Sequence, residues 1–523
     1  MKARLVVRLY GIRLKNQLCV QPWKDINNHL VCTSPSRISL HSHLYAHNFN
    51  TTHSIQPSKP QARLPSKMEP SLTPMQVDGG NLATSRTRLQ PAIIIIASTT
   101  LVFTGCGINF AFGVFQEMYD SMSKEPNTPF TGATPAQIDL IGTLSIALMT
   151  IGAPFATAWT KQYPPRYVIW ASGIIHSSAL LFASFSQHLW QFILTQGILL
   201  GMATCLTYMP SVTVAPTWFT LHRGLAMGII LAGTGIGGVA WPLAFRYLIE
   251  SVGFRNTLRV TAGISFVLIC GSGTFIRWPA SEITRIQAEN SASSRSPTFF
   301  RLPLVDWRVV QSRKFVAHAL GAALQSAAYY TPVFFFASFA RTLGYSQATS
   351  ANFIAISNAA NALGKVVIGH AAGRIGRLNT LVLTTLISAV SVLALWLPSC
   401  LSSTQFTGST LFIAFTIFYG IFASAYVALF PTSLVELFGV QNFVSVNGLL
   451  YMVRGFATLV GTPVAGALIR GNHEKSVGPR SYENTSIMVG VLLVVATLAV
   501  VWARLEATLT LDATAGRRTK WLM

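Results

Sequence analysis

Residues Gly369–Asn379 read GHAAGRIGRLN, three glycines and two arginines set between two long apolar runs. In a soluble protein these letters would make an ordinary surface loop, so their meaning depends on what surrounds them. Of the 523 residues, 51% are hydrophobic and only 10% are charged, and the mean hydropathy is +0.47. An ordinary soluble domain is about 25% charged. The balance is that of a membrane protein. A hydrocarbon core demands stretches of about 20 apolar residues, and these must be helical because their backbone groups find no water there.

Working outward from the turn, runs with few charges give six candidate spans in each half of the chain. The first six are Pro91 to Gln116, Ile138 to Thr160, Tyr167 to Phe185, Leu189 to Phe219, Gly224 to Phe245 and Val260 to Ile276. The second six are Phe315 to Ala340, Ser346 to Leu363 with a tail to Gly369, Leu381 to Cys400, Ser409 to Val435, Val444 to Ile469 and Ser486 to Trp502. The expected fold is therefore all-α, with twelve transmembrane helices in two six-helix halves. Its divisions are a polar N-terminal segment 1–90, a first half 91–276, a linker 277–314, a second half 315–502 and a tail 503–523.

Orientation follows from basic residues, which are retained on the cytoplasmic side. The linker holds Arg277, Arg285, Arg295, Arg301, Arg308, Arg313 and Lys314 against three acids. Lys161, Arg166, Arg223, Arg374, Arg377 and the tail basics fall on the same side, so the linker and both termini are expected in the cytoplasm, with the plasma membrane as the host bilayer. The formal charge of +22 is then topological, since a chain this apolar offers no soluble basic face for nucleic acid.

The six cysteines lie mostly inside apolar spans without metal or disulfide spacing and read as packing residues. No Walker-type glycine loop is present, which removes the simple ATP-driven pump, and no intramembrane nucleophile with its base, nor any metal cluster, can be assembled, so neither an enzyme nor a cofactor is expected. Sequons stand at Asn50 and Asn484, and only Asn484 falls on an expected outer loop, hard against the last span. The first 67 residues carry ten Lys or Arg and a single acid, Asp25. That acid-poor pattern fits a transit segment, a disordered arm, or leader sequence upstream of Met68, and leader sequence is the reading adopted.

The twelve spans, the central linker and the Gly-Arg turn resemble the major facilitator superfamily, whose turn motif in this position holds helix ends together. Gly369 and Gly376 match its glycines and Arg374 and Arg377 its basic positions, while Gly373 replaces the usual Asp. In the corresponding first-half turn only Arg166 fits well, with Lys161 and Pro164 in place of an acid and a glycine. Glycine lets two backbones approach, and arginine can cap helix-end carbonyls or pair with a neighbouring carboxylate, which would make these residues a conformational latch. The same arginines also serve simply to fix topology. Further stretches, FAFGVFQEMY at Phe110 to Tyr119, TWFTLHRGLAMGIILAGTGIGGVAWPL at Thr217 to Leu243 and GIFASAYVALFPTSLVELFG at Gly420 to Gly439, look like the fungal branch of the monocarboxylate porter family.

Ionisable groups within a bilayer are costly and therefore candidates for function. Lys365 in span eight and Arg454 about ten residues into span eleven are both cationic, with no acid in their own spans, and suit an organic anion. In animal relatives span eight carries an Asp and, four residues later, an Arg; the resemblance sets Asn361 and Lys365 at those positions, on one helical face. The alternatives are that Lys365 snorkels to the interface and that Arg454 braces helices. Asn109, Gln116, Tyr208, Gln325, Tyr329, Tyr330, Tyr419 and Tyr426 lie on the spans that line the path in the family, although tyrosine in a membrane helix also serves packing. The expectation is a secondary transporter, functional as a monomer, that moves a small organic acid or an acidic fungal metabolite by alternating access. The alternative is a transport-inactive sensor of the same fold.

Overall fold

The computed structural model describes residues 13–14, 17–18, 80–219, 222–292, 307–469 and 478–512. Apart from residues 13–14 and 17–18, the segment before Met68 lies outside them, as do the middle of the linker and the tail beyond residue 512, and so do the expectations placed there. Two units separate, Met1–Gln76 and Val77–Met523. In the first, strands Arg13–Leu14 and Gln17–Leu18 pair antiparallel. The second is built of helices and their connections, with no strand among its described residues.

Its helices run in chain order as α1 (Gly80–Phe110), α2 (Phe112–Ser123), α3 (Pro135–Ile151), α4 (Ala153–Gln162), α5 (Pro165–Phe185), α6 (Leu189–Phe192), α7 (Leu200–Trp218), α8 (Arg223–Val252) and α9 (Phe254–Gly273). They continue as α10 (Ala280–Ala292), α11 (Trp307–Val310), α12 (Arg313–Thr342), α13 (Gln347–Ile375), α14 (Arg377–Ser391), α15 (Leu397–Leu401), α16 (Gln405–Ala467) and α17 (Glu483–Asp512). Wide turns with five-residue spacing at Ile193–Leu199 and Val392–Trp396 join α6 to α7 and α14 to α15. Between α3 and α4 the axis bends by 44° at Gly152. Pro154 follows there, and its ring removes a backbone donor from the ladder.

Among the described residues, seven helices are long and apolar enough to cross a membrane, or eight if the bent α3 and α4 pair is one span. This is fewer than the twelve expected from the sequence, for identifiable reasons. Spans ten and eleven run end to end along α16 as two helical stretches that meet at a kink at Gly439, which takes φ 72°, a conformation open to a residue without Cβ. The helices at the expected spans six, seven and eight carry polar groups along their length: Arg255 and Arg259 on α9, Gln325 on α12, and Asn358, Asn361 and Lys365 on α13.

The glycines of α8 explain how the bundle closes. A Cβ on Gly224 would lie 2.6 Å from the Gly369 carbonyl oxygen, and one on Gly235 would lie 2.5 Å from that of Asn358. On its other side, a Cβ on Gly233 would meet the Thr99 carbonyl at 2.6 Å. α8 is thus pressed backbone to backbone against α13 on one face and α1 on another. Close approach of this kind substitutes dispersion contact for the hydrophobic drive that lipid does not supply.

Candidate functional site

The turn that opened the sequence reading joins α13 to α14, with Gly376 at φ 95° between them. Arg377 reaches Glu436 at 2.9 Å, and both side chains are largely buried. Arg223 donates its Nε to the carbonyls of Pro216 and Phe219 at 2.8 and 2.9 Å, and it lies within electrostatic reach of the same glutamate. Gly369 is one of the close approaches of α13 to α8, where a Cβ would lie 2.6 Å from the Gly224 carbonyl oxygen. Arg374 and Arg166 are exposed, and Arg166 lies over the Tyr167 ring, so neither joins this cluster. Glu436 is absent from the sequence reading because it stands one residue past the expected span ten, although its acidic side chain at a helix end was a visible signal.

Arg454 is buried at 4% exposure, and its guanidinium carbon lies 4.8, 5.1 and 5.8 Å from the ring centres of Phe430, Tyr451 and Tyr426. Its Nε donates to Ser326 Oγ at 2.7 Å, while Nη1 has no hydrogen-bond partner. Among the described residues no carboxylate pairs with it. Tyr208 closes the group from α7, its hydroxyl 3.1 Å from that of Tyr451. Both amide atoms of Gln325, the Tyr426 hydroxyl and the Asn447 carbonyl oxygen are likewise buried without a partner. Leaving so many polar atoms unmatched is costly in a low-dielectric interior, where each buried orphan costs about 1–3 kcal/mol.

A second group surrounds a small cavity between α12, α13 and α16, lined in part by Phe110, Tyr329, Asn361, Tyr419 and Ser424. Asn361 donates to the Tyr329 hydroxyl at 3.3 Å, and Tyr419 donates to the Tyr329 carbonyl at 3.1 Å. Tyr330 stands against Tyr329 and stacks on Phe110 of α1, with ring centres 6.1 Å apart.

Other candidates lie apart. Asn109 faces a separate cavity, where it bonds Thr204 and Ser145. Gln116 is near the far end of the bundle, hydrogen-bonded to Asp139. Lys365, completely buried, points not into either cavity but across the seam to α8, donating to the Leu231 carbonyl at 3.1 Å and to the Thr234 hydroxyl. Asn484 is half-buried in the first turn of α17, with the sequon's Ser486 fully buried. His318, unremarked in the sequence, is buried on α12 beside Phe430. The signal for it, an ionisable side chain inside an apolar run, is the one that marks Lys365 and Arg454.

Comparison with known proteins fits this arrangement. The family described as Major Facilitator Superfamily matches residues 92–404 and 319–521. An MFS-type transporter of Gibberella moniliformis is 26% identical over 412 residues, 79% of this chain and 91% of that protein. The Agnestins efflux protein of Paecilomyces divaricatus is 26% identical over 85% of this chain and 96% of its own length. Among solved structures, the human organic anion transporter MFSD10 (TETRAN) shares the fold with a TM-score of 0.55 and 13% identity, over 79% of this chain and 99% of that one. These relatives are transporters, which agrees with the transport reading and not with the sensor or an enzyme. Matched along nearly its whole helical unit, the chain belongs to the major facilitator superfamily and is a multi-pass membrane transporter.

Proposed function

We propose that this protein moves an organic acid, in fungi an acidic secondary metabolite, out of the cell by alternating access between two six-helix halves of twelve spans in all. The halves are residues 91–276 and 315–502, with the linker 277–314 and both termini in the cytoplasm, the plasma membrane as host and the monomer as the working unit. The stretches resembling the fungal monocarboxylate porters support that branch, and the efflux relative supports the outward direction.

The observation that carries the reading is Arg454. A guanidinium held over three rings, with Nη1 free and no carboxylate beside it among the described residues, is a prepared partner for an anion. Guanidinium pairs with carboxylate through directed hydrogen bonds, and in a water-poor interior such pairs are strong. Gln325 and Tyr426 supply further polar atoms, and the aromatic walls suit a ringed body. Asn361, Tyr329 and Tyr419 line the adjoining space, and Lys365 serves the seam.

The test is efflux from cells loaded with a panel of aromatic carboxylates, each beside its neutral amide. Carboxylates should be exported in preference to amides, and Arg454→Gln should lower carboxylate efflux at least about tenfold, the equivalent of about 1.4 kcal/mol. Equal efflux by the two proteins, with both at the membrane, would remove Arg454 from the site.

A further inference from the structure

His318 stands in the second turn of α12, completely buried. Its ring lies 9° from parallel with Phe430, at 5.3 Å between centres, and Phe430 is also the ring that Arg454 covers at 4.8 Å. One phenylalanine therefore touches an imidazole and a guanidinium. The bonds of Ser433 settle the tautomer. Its hydroxyl donates to the Phe430 carbonyl at 2.8 Å, so its oxygen is left to accept, and that oxygen lies 3.4 Å from Nε2. Nε2 then carries the hydrogen, and Nδ1, which has no partner, keeps a bare lone pair.

On the helices packed against α12, the charges apart from Arg454 are engaged or exposed, except on α17, where the half-buried Arg504 has no partner for its Nε and Glu483 stands in the first turn, at the opposite end from Arg504. On α16, Glu436 is paired with Arg377, and on α17, Glu506 lies 3.9 Å from Arg313 and within reach of Lys314 at the start of α12 itself. On α13, Lys365 is bonded to α8, and His370 and Arg374 are exposed. Tyr426 and Tyr451 face the same Phe430 ring as uncharged phenols. The charge that acts on the imidazole is that of Arg454.

We propose that His318 is the proton-binding residue of the transport cycle, taking up a proton at Nδ1 when an anion occupies Arg454 and releasing it when the anion leaves. This rests on the anion site proposed above. Burial by itself opposes charge on the ring, and with Arg454 unpaired a proton on His318 would add repulsion between two like charges in a low-dielectric space; an anion on the guanidinium removes that repulsion. The proton comes from the aqueous phase to which the site is open, converts imidazole to imidazolium, and leaves to the opposite phase, returning the ring to its neutral form. Anion and proton therefore move the same way, and a monovalent anion crosses with no net charge. Linkage is reciprocal, so protons must also favour the anion.

The experiment uses the full-length protein in nanodiscs and naphthalene-1-sulfonate, whose sulfonate stays ionised, so that any proton taken up belongs to the protein. Titration calorimetry in two buffers of different ionisation heat counts that proton. The wild type should take up protons on binding and bind more tightly as pH falls. His318→Gln, which can still donate to Ser433, should bind the sulfonate but lose both the uptake and the pH dependence. His318→Phe, which keeps a ring stacked on Phe430, should do the same and covers a glutamine variant that fails to fold. Wild-type binding without proton uptake, or uptake unchanged in either variant, overturns this assignment alone. Absence of sulfonate binding by the wild type overturns the anion site and this inference together.

Discussion

Lys365 and Arg454 stand out in the sequence for one reason, a cation inside an apolar run, and the structure gives their donors different destinations. Lys365 spends its ammonium on Leu231 and Thr234, 134 and 131 positions away in the chain. Arg454 keeps Nη1 uncommitted among aromatic rings. Replacing Lys365 with methionine should therefore leave the affinity for naphthalene-1-sulfonate unchanged while lowering thermal stability by about 1–2 kcal/mol, the scale of polar contacts between membrane helices. An affinity loss equal to that of Arg454→Gln would return Lys365 to the anion site. That charge inside the spans mattered was legible in the sequence; which partner each cation takes was not, because the partners lie on helices that only tertiary packing brings near. Glu436 is the same case, a carboxylate identified as the mate of Arg377 only once α14 and α16 are side by side.

At the scale of elements, the glycine-rich stretch of α8 was readable as a place for close packing, and the facing rows on α13 and α1 make it so. The identity of those facing rows was hidden, since glycine spacing shows that something approaches without showing what. The kink in α16 was hidden too: the chain between the expected spans ten and eleven stays helical on either side of Gly439, and the bend falls at that one residue. The packing makes a paired prediction. Gly235→Ala would place a methyl 2.5 Å from the Asn358 carbonyl and should cost about 1–3 kcal/mol of stability, read as a lower melting temperature and slower efflux. Gly263→Ala on α9, where no atom lies within 4 Å, should be neutral or gain up to about 1 kcal/mol through lower chain entropy. Equal melting temperatures for the two variants would show that the α8 contact is loose.

For the whole molecule, the distribution of lysine and arginine predicts the sidedness. A reporter inserted within residues 293–306 should be accessible only from the cytoplasm, and one within residues 471–477 only from outside; the reverse labelling would invert the protein in its membrane. The helical character and membrane residence of the chain were legible from composition, whereas the number of separate crossings was blurred by polar residues on the helices, buried ones such as Gln325, Asn361 and Lys365 and the less buried Arg255 and Arg259. The seam between α8 and α13 also bears on the size of the cargo. Where Gly224 and Gly369 meet, and again where Gly235 meets Asn358, the touching surfaces are main chain, with no branches to withdraw. Should these helices part, the doorway they bare is smooth-walled and wider by the depth of every side chain that is missing, and its carbonyls face the gap. The largest cross-section that can pass is then written in glycine: each methyl added along that edge narrows the aperture, so that broad, fused-ring molecules should be turned away before slender ones.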